Sequence, residues 1–400
     1  MPLAHQRNHS QSAKFSPTNF QCVALLLQGG GALGAYQAGV YEALAEDDIH
    51  PNWLAGISIG AINCAIIAGN PPENRVERLR QFWELVTTDG FCGFPNASSL
   101  LRSFEFLKTI EGDLTRSVLN HVSAGVAMFQ GVPGFFSPRF PAPWAQQTGA
   151  LGATSFYDTG RLGETLEKLV DFDRINAAQE MRLSIGAVNV RSGNFTYFDT
   201  SKHVIGPRHI MASGALPPAF PAIEIDGEHY WDGGVVSNTP LQWVLDHTPR
   251  QNTLAFQVDL WNARGELPGN VAQVETRRKE IQYSSRTRAG TDAFKYAQRM
   301  RNVIASLLEK LPDELKESEE AIILDAVADR KAYNIIHLIY HAHNYEGHAK
   351  DYEFSRASME AHWRAGYNDT RRTLRHLQMF GLPANDEGVV TFDLERDGRE

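Results

Sequence analysis

Ser58 lies in Gly56-Ile57-Ser58-Ile59-Gly60, a GxSxG pentapeptide between the short apolar run Trp53 to Gly56 and the small-residue segment IGAINCAIIAG. A strand that turns sharply into a helix at this point holds a serine hydroxyl out on a strained backbone. Glycines at Gly56 and Gly60 let neighbouring main chain approach where a Cβ would clash. The helix that follows presents its positive end and free amides to charge developing at the serine. The chemistry implied is nucleophilic attack on a carbonyl. Because the chain has 33 glycines, the pentapeptide gains its weight from its surroundings.

Those surroundings contain two further motifs. Gly29-Gly30-Gly31-Ala32-Leu33-Gly34 follows the apolar run CVALLLQ directly, and successive glycines there can aim several amides at one point, as an oxyanion hole for an ester intermediate requires. Gly29, Gly31 and Gly34 also satisfy the dinucleotide pattern GxGxxG. That pattern wants an acidic residue about twenty positions on to hold a ribose, whereas here that place holds Trp53, Leu54 and Ala55 and then the serine turn. The third motif, Asp232-Gly233-Gly234, follows a hairpin-like stretch from Ile223 to Trp231. An aspartate before two glycines is often only a turn; joined to the other two motifs, it reads as a base within reach of the serine.

A Ser-His-acid triad is the competing arrangement. The chain has 14 histidines, and His247, His337, His341 and His343 all follow Asp232, the order that α/β-hydrolase triads use. Spacing leaves them open, although a histidine so placed is more often structural or exposed. His337, His341 and His343 lie in IIHLIYHAH, a strand running into a loop, with no HExxH, so neither metal nor cofactor is expected.

These groups need elements to hold them. Cys22 to Gln28 reads as a strand buried on both faces, followed by a helix from Ala35 to Ala45; Trp53 to Gly56 reads as a second strand. From about 91 to 157 the rhythm fails, and Phe129, Phe135, Phe136, Phe140 and Trp144 alternate with Pro133, Pro138, Pro141 and Pro143, which suggests a cap over the site. Strands return at Leu183 to Val190, with a hairpin through Ser192 and Gly193, and at Leu254 to Leu260. Apolar residues at helical spacing recur from Phe294 through Met300 and Leu307 to Leu308, and from Met359 through Trp363 to Leu377; both stripes are expected to face a core. The division expected is a flexible tail over 1–19, a catalytic domain over 20–262, and a mostly helical extension over 263–400 with one strand near 334–340.

Composition sets the outer limits. A chain of 400 residues with 42% apolar and 21% charged residues can bury a core without disulfides or structural metal. Cys22, Cys64 and Cys92 form no close pair, which fits a reducing compartment. A net charge of −9 argues against a nucleic-acid partner, and the basic cluster Arg277, Arg278, Lys279, Arg286 and Arg288 is expected to be a solvated helix face. The apolar run Val23 to Leu27 is too short for a signal or a span. A cytoplasmic protein, touching a bilayer at most peripherally, is expected; the oligomeric state does not follow from the sequence.

Taken in order, GGGALGAYQAG, GISIG, ASGALPPAFP and DGG resemble the patatin-like phospholipase family over about residues 20 to 260. The resemblance implies an α/β three-layer sandwich with a mainly parallel central sheet, a cap insertion and a mostly helical C-terminal extension. It implies a Ser-Asp dyad with Ser58 as nucleophile and Asp232 as general base, and an oxyanion hole drawn from Gly29, Gly30, Gly31 and Gly34, above all Gly30 and Gly31. It further implies a lipid or other acyl-ester substrate in a pocket to which Leu33, Ile59, Pro217 and Phe220 are assigned. Many members carry Arg or Lys at the position of Leu33, so side-chain charge at that position is missing here. The stretch KDYEFSRASMEAHWRAG, residues 350 to 366, resembles an extension found in a bacterial subgroup. A thioesterase or hydroxyacyl-polyester hydrolase using the same dyad, and a non-catalytic membrane-associated scaffold, are the alternatives.

Overall fold

CVALLL folds as β1 (Cys22–Leu27), with every residue buried, because parallel strands occupy both of its edges and helices cover both faces. The computed structural model describes residues 19–87, 113–177, 181–284, 287–342, 346–383 and 387–393. The expected tail up to residue 18, the first part of the expected cap, Cys92, Arg286, the Arg288 side chain and His343 lie outside the described residues.

The remaining strands of the main sheet are β2 (Trp53–Ile57), β5 (Arg182–Asn189), β6 (Phe195–Asp199), β7 (Ile223–Ile225), β8 (Glu228–Asp232), β9 (Thr253–Asp259), β10 (Tyr333–Ile339) and β11 (Val389–Phe392). They form a nine-stranded sheet ordered β11-β10-β9-β1-β2-β5-β8-β7, with β6 also paired to β5. Strands from β11 to β5 along this order are parallel; β6 and β8 each pair antiparallel with β5, and β7 pairs antiparallel with β8. The expected mainly parallel α/β sheet is therefore present. Its central strands end together at the loops carrying Gly29 to Gly31 and Ser58, the crevice where open α/β sheets place their ligands.

The helix Ile59–Ala68 is buried at every position, which explains its lack of an amphipathic period. Residues after 262 add β10 and β11 to the same sheet, and their helix Arg356–Thr373 lies along the helix Ala35–Glu46. Small residues set that contact: a Cβ at Gly39 would stand 1.9 Å from the Trp363 carbonyl oxygen, and one at Gly366 2.0 Å from that of Tyr36. Polar side chains lock the same pair, with the Tyr36 hydroxyl donating to Asp369 at 3.0 Å and the Tyr367 hydroxyl donating to Glu46 at 2.6 Å.

Two expected stripes need correction. Phe294 on the helix Thr287–Glu309 is buried, but Met300 and Leu307 are exposed, because neighbouring elements cover only part of that long helix. Leu377 is exposed in a separate turn beyond the end of the Arg356–Thr373 helix. The aromatic residues assigned to the expected cap also divide. Phe135 and Phe136 are buried, whereas Phe129, Phe140 and Trp144 face outward around β3 (Ser137–Pro138) and β4 (Tyr157–Asp158).

Candidate active site

Ser58 stands between β2 and its buried helix with φ 56° and ψ −124°, a conformation that costs a non-glycine residue roughly 1–3 kcal/mol and must be enforced by its neighbours. The Ser58 amide donates to Ser213 Oγ at 2.9 Å, and the Ser213 hydroxyl donates to the Gly186 carbonyl at 2.6 Å. The two elbow glycines sit where main chain passes closely. A Cβ on Gly56 would lie 2.5 Å from Gly60, and one on Gly60 would lie 2.2 Å from the Leu27 carbonyl oxygen.

Asp232 ends β8 and stands opposite Ala187 of β5. Its carboxylate is buried, lines the same cavity as Ser58, and accepts the Gly234 amide at 2.7 Å. Burial raises its pKa to about 6; the hydrogen bonds from Ser58 and Gly234 act in the opposite direction without cancelling it. The third expected partner lies alongside, since Gly29, Gly30, Gly31, Ser58 and Asp232 line a single cavity of about 360 Å³.

The glycine loop does not act as one unit. Gly29 donates its amide to Asn238 Oδ1 at 3.1 Å, and its carbonyl accepts from Asn238 Nδ2 and Trp261 Nε1, both at 2.9 Å. Its N–H is therefore occupied and unable to stabilise an oxyanion. Gly34 lies behind the cavity, where a Cβ would meet Ile59 at 2.5 Å and Trp83 at 2.9 Å; its role is packing. Among the described residues no acceptor is recorded for the amides of Gly30 and Gly31, and both residues line the cavity.

Of the four residues assigned to the pocket, Ile59 and Phe220 line it, and Leu33 and Pro217 do not. Leu33 is fully buried in the core, because its short 3-10 turn points it inward. Around Pro217 it is Gly214, Leu216 and Ala219 that reach the cavity. Of the larger apolar wall, the sequence pointed to Phe135, Phe136 and Phe220 but not to Tyr157 and Phe354. Phe135, Phe136, Tyr157, Phe220 and Phe354 interlock, with ring centroids such as Phe136–Phe220 at 5.2 Å and Phe135–Phe354 at 6.0 Å, spacings favourable for tilted and edge-to-face packing.

Supporting polar residues also emerge only in three dimensions. Buried Gln28 receives the Leu260 amide at 2.7 Å and donates to the Tyr283 carbonyl at 3.1 Å. Behind the loop, Asn63 donates to the Gly34 carbonyl at 3.0 Å and accepts from Trp83 at 3.1 Å. A glutamine at a strand end carries no signal by itself; its full set of partners comes from distant segments.

None of the histidines considered for a triad lines the cavity among the described residues. His337 faces Asp259 at 3.6 Å, His247 contacts Arg182 at 2.7 Å, and His341 contacts Asn262 at 2.8 Å. No cluster of three or more His, Cys, Asp or Glu side chains suited to a metal occurs among the described residues.

Comparison with known proteins adds to this geometry. The profile of the family described as Patatin-like phospholipase matches residues 25–245, more than half of the chain. The chain belongs to the patatin-like phospholipase family. A second profile, described as Patatin phospholipase, matches residues 281–386 of this patatin-like chain, the region of β10 and the helix Arg356–Thr373. A 44-residue stretch is 46% identical to the triacylglycerol lipase SDP1L of Arabidopsis thaliana, covering 11% of this chain and only 6% of that protein. Among solved structures, VipD from Legionella pneumophila aligns over 94% of this chain and 72% of its own, with 14% identity and a TM-score of 0.41. The type III effector protein ExoU aligns over 90% of this chain and 53% of its own, with 15% identity and a TM-score of 0.32. No helix among the described residues is long and apolar enough to cross a membrane.

Proposed function

We infer that this patatin-like chain cleaves carboxylic esters of long acyl chains through a Ser58–Asp232 dyad and an acyl-enzyme. The observation that carries the reading is the placing of Ser58 beside the buried Asp232 carboxylate in one cavity walled by aromatic rings.

Asp232 accepts the proton as Ser58 Oγ attacks the ester carbonyl carbon. The resulting oxyanion is held by the Gly30 and Gly31 amides, and the proton passes to the departing alkoxide as the C–O bond breaks. Water, deprotonated by Asp232, then attacks the acyl-serine, releases the fatty acid and returns the proton to Ser58. An aspartate of ordinary acidity is a weak base for an alcohol. Burial that raises its pKa to about 6 brings it nearer the value suited to proton transfer at neutral pH while leaving it mostly ionised there. The aromatic wall receives the acyl chain. Exposed Met128, Phe129 and Trp144 on the same cap offer a peripheral contact with a lipid surface, and buried, unpaired Cys22 and Cys64 suit the cytoplasm.

The test is fatty-acid release from micellar phosphatidylcholine and from a p-nitrophenyl acyl ester by wild type, Ser58→Ala and Asp232→Asn. Both variants are expected to lose turnover, and fluorophosphonate labelling is expected to vanish in Ser58→Ala. Equal activity in all three proteins would eliminate the dyad; a preference for soluble thioesters over every lipid ester at equal chain length would move the substrate class.

A further inference from the structure

The basic run Arg277-Arg278-Lys279, expected to be a solvated face, proves to be only partly so. Arg278 is exposed, but Lys279 Nζ reaches both carboxylate oxygens of Asp351 at 2.8 and 2.9 Å and the His348 carbonyl at 3.1 Å. Next to it, Glu280 receives Lys350 at 2.8 Å and Arg277 at 3.1 Å, and the Lys350 side chain is only 3% exposed. A lysine buried that far requires its partner. The lysine and carboxylate of one pair are thus interchanged in the next, Lys279 with Asp351 and Glu280 with Lys350. The helix Val271–Ser284 is thereby fastened to residues 348–351 in one register.

That register places the segment against the oxyanion loop. The Asp351 carbonyl accepts the Ala32 amide at 2.8 Å. Gly31 has φ 56°, and a Cβ there would stand 2.1 Å from the same Asp351 oxygen, so only glycine permits the approach. Asp351, Tyr352 and Phe354 all line the cavity, as does Tyr283 on the fastened helix. The loop is consequently held at Gly29 by Asn238 and at Ala32 by Asp351, with Gly30 and Gly31 suspended between the two anchors.

We propose that the C-terminal extension completes the active site: Asp351 is a positioning residue that fixes the Gly30 and Gly31 amides through its main-chain carbonyl, and Lys279 holds it there. The proposal rests on the acyl-hydrolase reading above for its catalytic consequence. Its physical content, restraint of the loop by the extension, is independent of that reading. Released from Asp351, the loop keeps its glycines but loses the fixed aim of its donors, and preorganised aim is what an oxyanion hole contributes. The effect belongs in kcat, since Phe135, Phe136, Tyr157 and Phe220 of the aromatic wall lie on other segments and are left in place.

The experiment compares full-length wild type, Lys279→Met, Lys279→Arg and Asp351→Asn for kcat and KM on a p-nitrophenyl acyl ester, for thermal midpoint, and for amide hydrogen exchange in a peptide spanning residues 28–36. In Lys279→Met, kcat is expected to fall about 10- to 100-fold with KM within about twofold of wild type, together with about tenfold faster exchange in that peptide. Lys279→Arg, which can still grip both oxygens, is expected to recover most of kcat. Asp351→Asn, which retains volume and some hydrogen bonding, gives a milder loss and serves should Lys279→Met fold poorly. Unchanged exchange in the 28–36 peptide overturns the proposal, as does a folded Lys279→Met enzyme with wild-type kcat or with a loss confined to KM. If wild type hydrolyses no acyl ester, the hydrolase reading falls, and the exchange comparison alone decides the restraint.

Discussion

Replacing Asp232 by asparagine is expected to abolish turnover and to stabilise the protein at neutral pH. The carboxyl group is buried, and its pKa rises from 3.8 unfolded to about 6 folded. That difference of about 2 units, at roughly 1.4 kcal/mol per unit, amounts to about 3 kcal/mol. The sign follows from proton uptake. Between the two pKa values the folded protein holds a proton that the unfolded chain has released, so stability falls as pH rises through this window. Below about pH 4 both states are protonated and the penalty is absent; above about pH 6 it is fully present. Asparagine occupies nearly the same volume, can still accept from the Gly234 amide, and carries no charge to desolvate. Urea unfolding of wild type and Asp232→Asn, compared near pH 4 and near pH 8, should show little difference at the acid end and up to about 3 kcal/mol in favour of the variant at the other. Parallel pH dependences in the two proteins would refute the idea that a desolvated carboxylate is stored at this position. Activity should have the opposite pH trend, because only ionised Asp232 can take the serine proton. The base limb of kcat/KM in wild type is therefore expected to rise to a plateau through about pH 6, and a limb near the ordinary aspartate value would count against burial of the base.

Three further outcomes follow from the geometry. Gly60→Ala should lower the thermal midpoint, because its Cβ would lie 2.2 Å from the Leu27 carbonyl oxygen and relief of such overpacking costs roughly 1–3 kcal/mol; a melt like that of wild type would mean that the elbow can relax. Asn238→Ala removes the partner of both Gly29 main-chain groups, which leaves buried polar atoms unsatisfied at a cost of roughly 1–3 kcal/mol. Reduced urea stability together with reduced kcat is expected, and kcat equal to wild type would show that the loop does not need this anchor. Phe136→Ala opens the aromatic wall between Tyr157 and Phe220, so the ratio of kcat/KM for long over medium p-nitrophenyl esters should rise; an unchanged ratio would place the acyl chain elsewhere.

Local chemistry was readable in the sequence wherever one short segment carries the whole geometric requirement. CVALLL announces a strand covered on both faces, GISIG a turn that tolerates no Cβ two positions before or after the serine, and GGGALG a loop of closely approaching main chain; each depends on residues within a few positions of one another. The same reading could not distinguish the members of that loop. Whether Gly29 offers its amide to a substrate or spends it on Asn238 depends on a side chain 209 positions away, and Leu33 turns to the core rather than the pocket because of how its 3-10 turn seats against neighbouring elements. Charge was misjudged for a similar reason. Arg277 and Lys279 look like surface residues until Glu280 and the distant Asp351 are brought opposite them. Sequence by itself determined which backbones can bend and approach closely, since those limits are set by the steric bulk of each residue. Only the tertiary structure decided which amides remain free, which carboxyl group is desolvated and which chain segment closes the site, because hydrogen bonding and dielectric environment belong to partners that folding alone brings together.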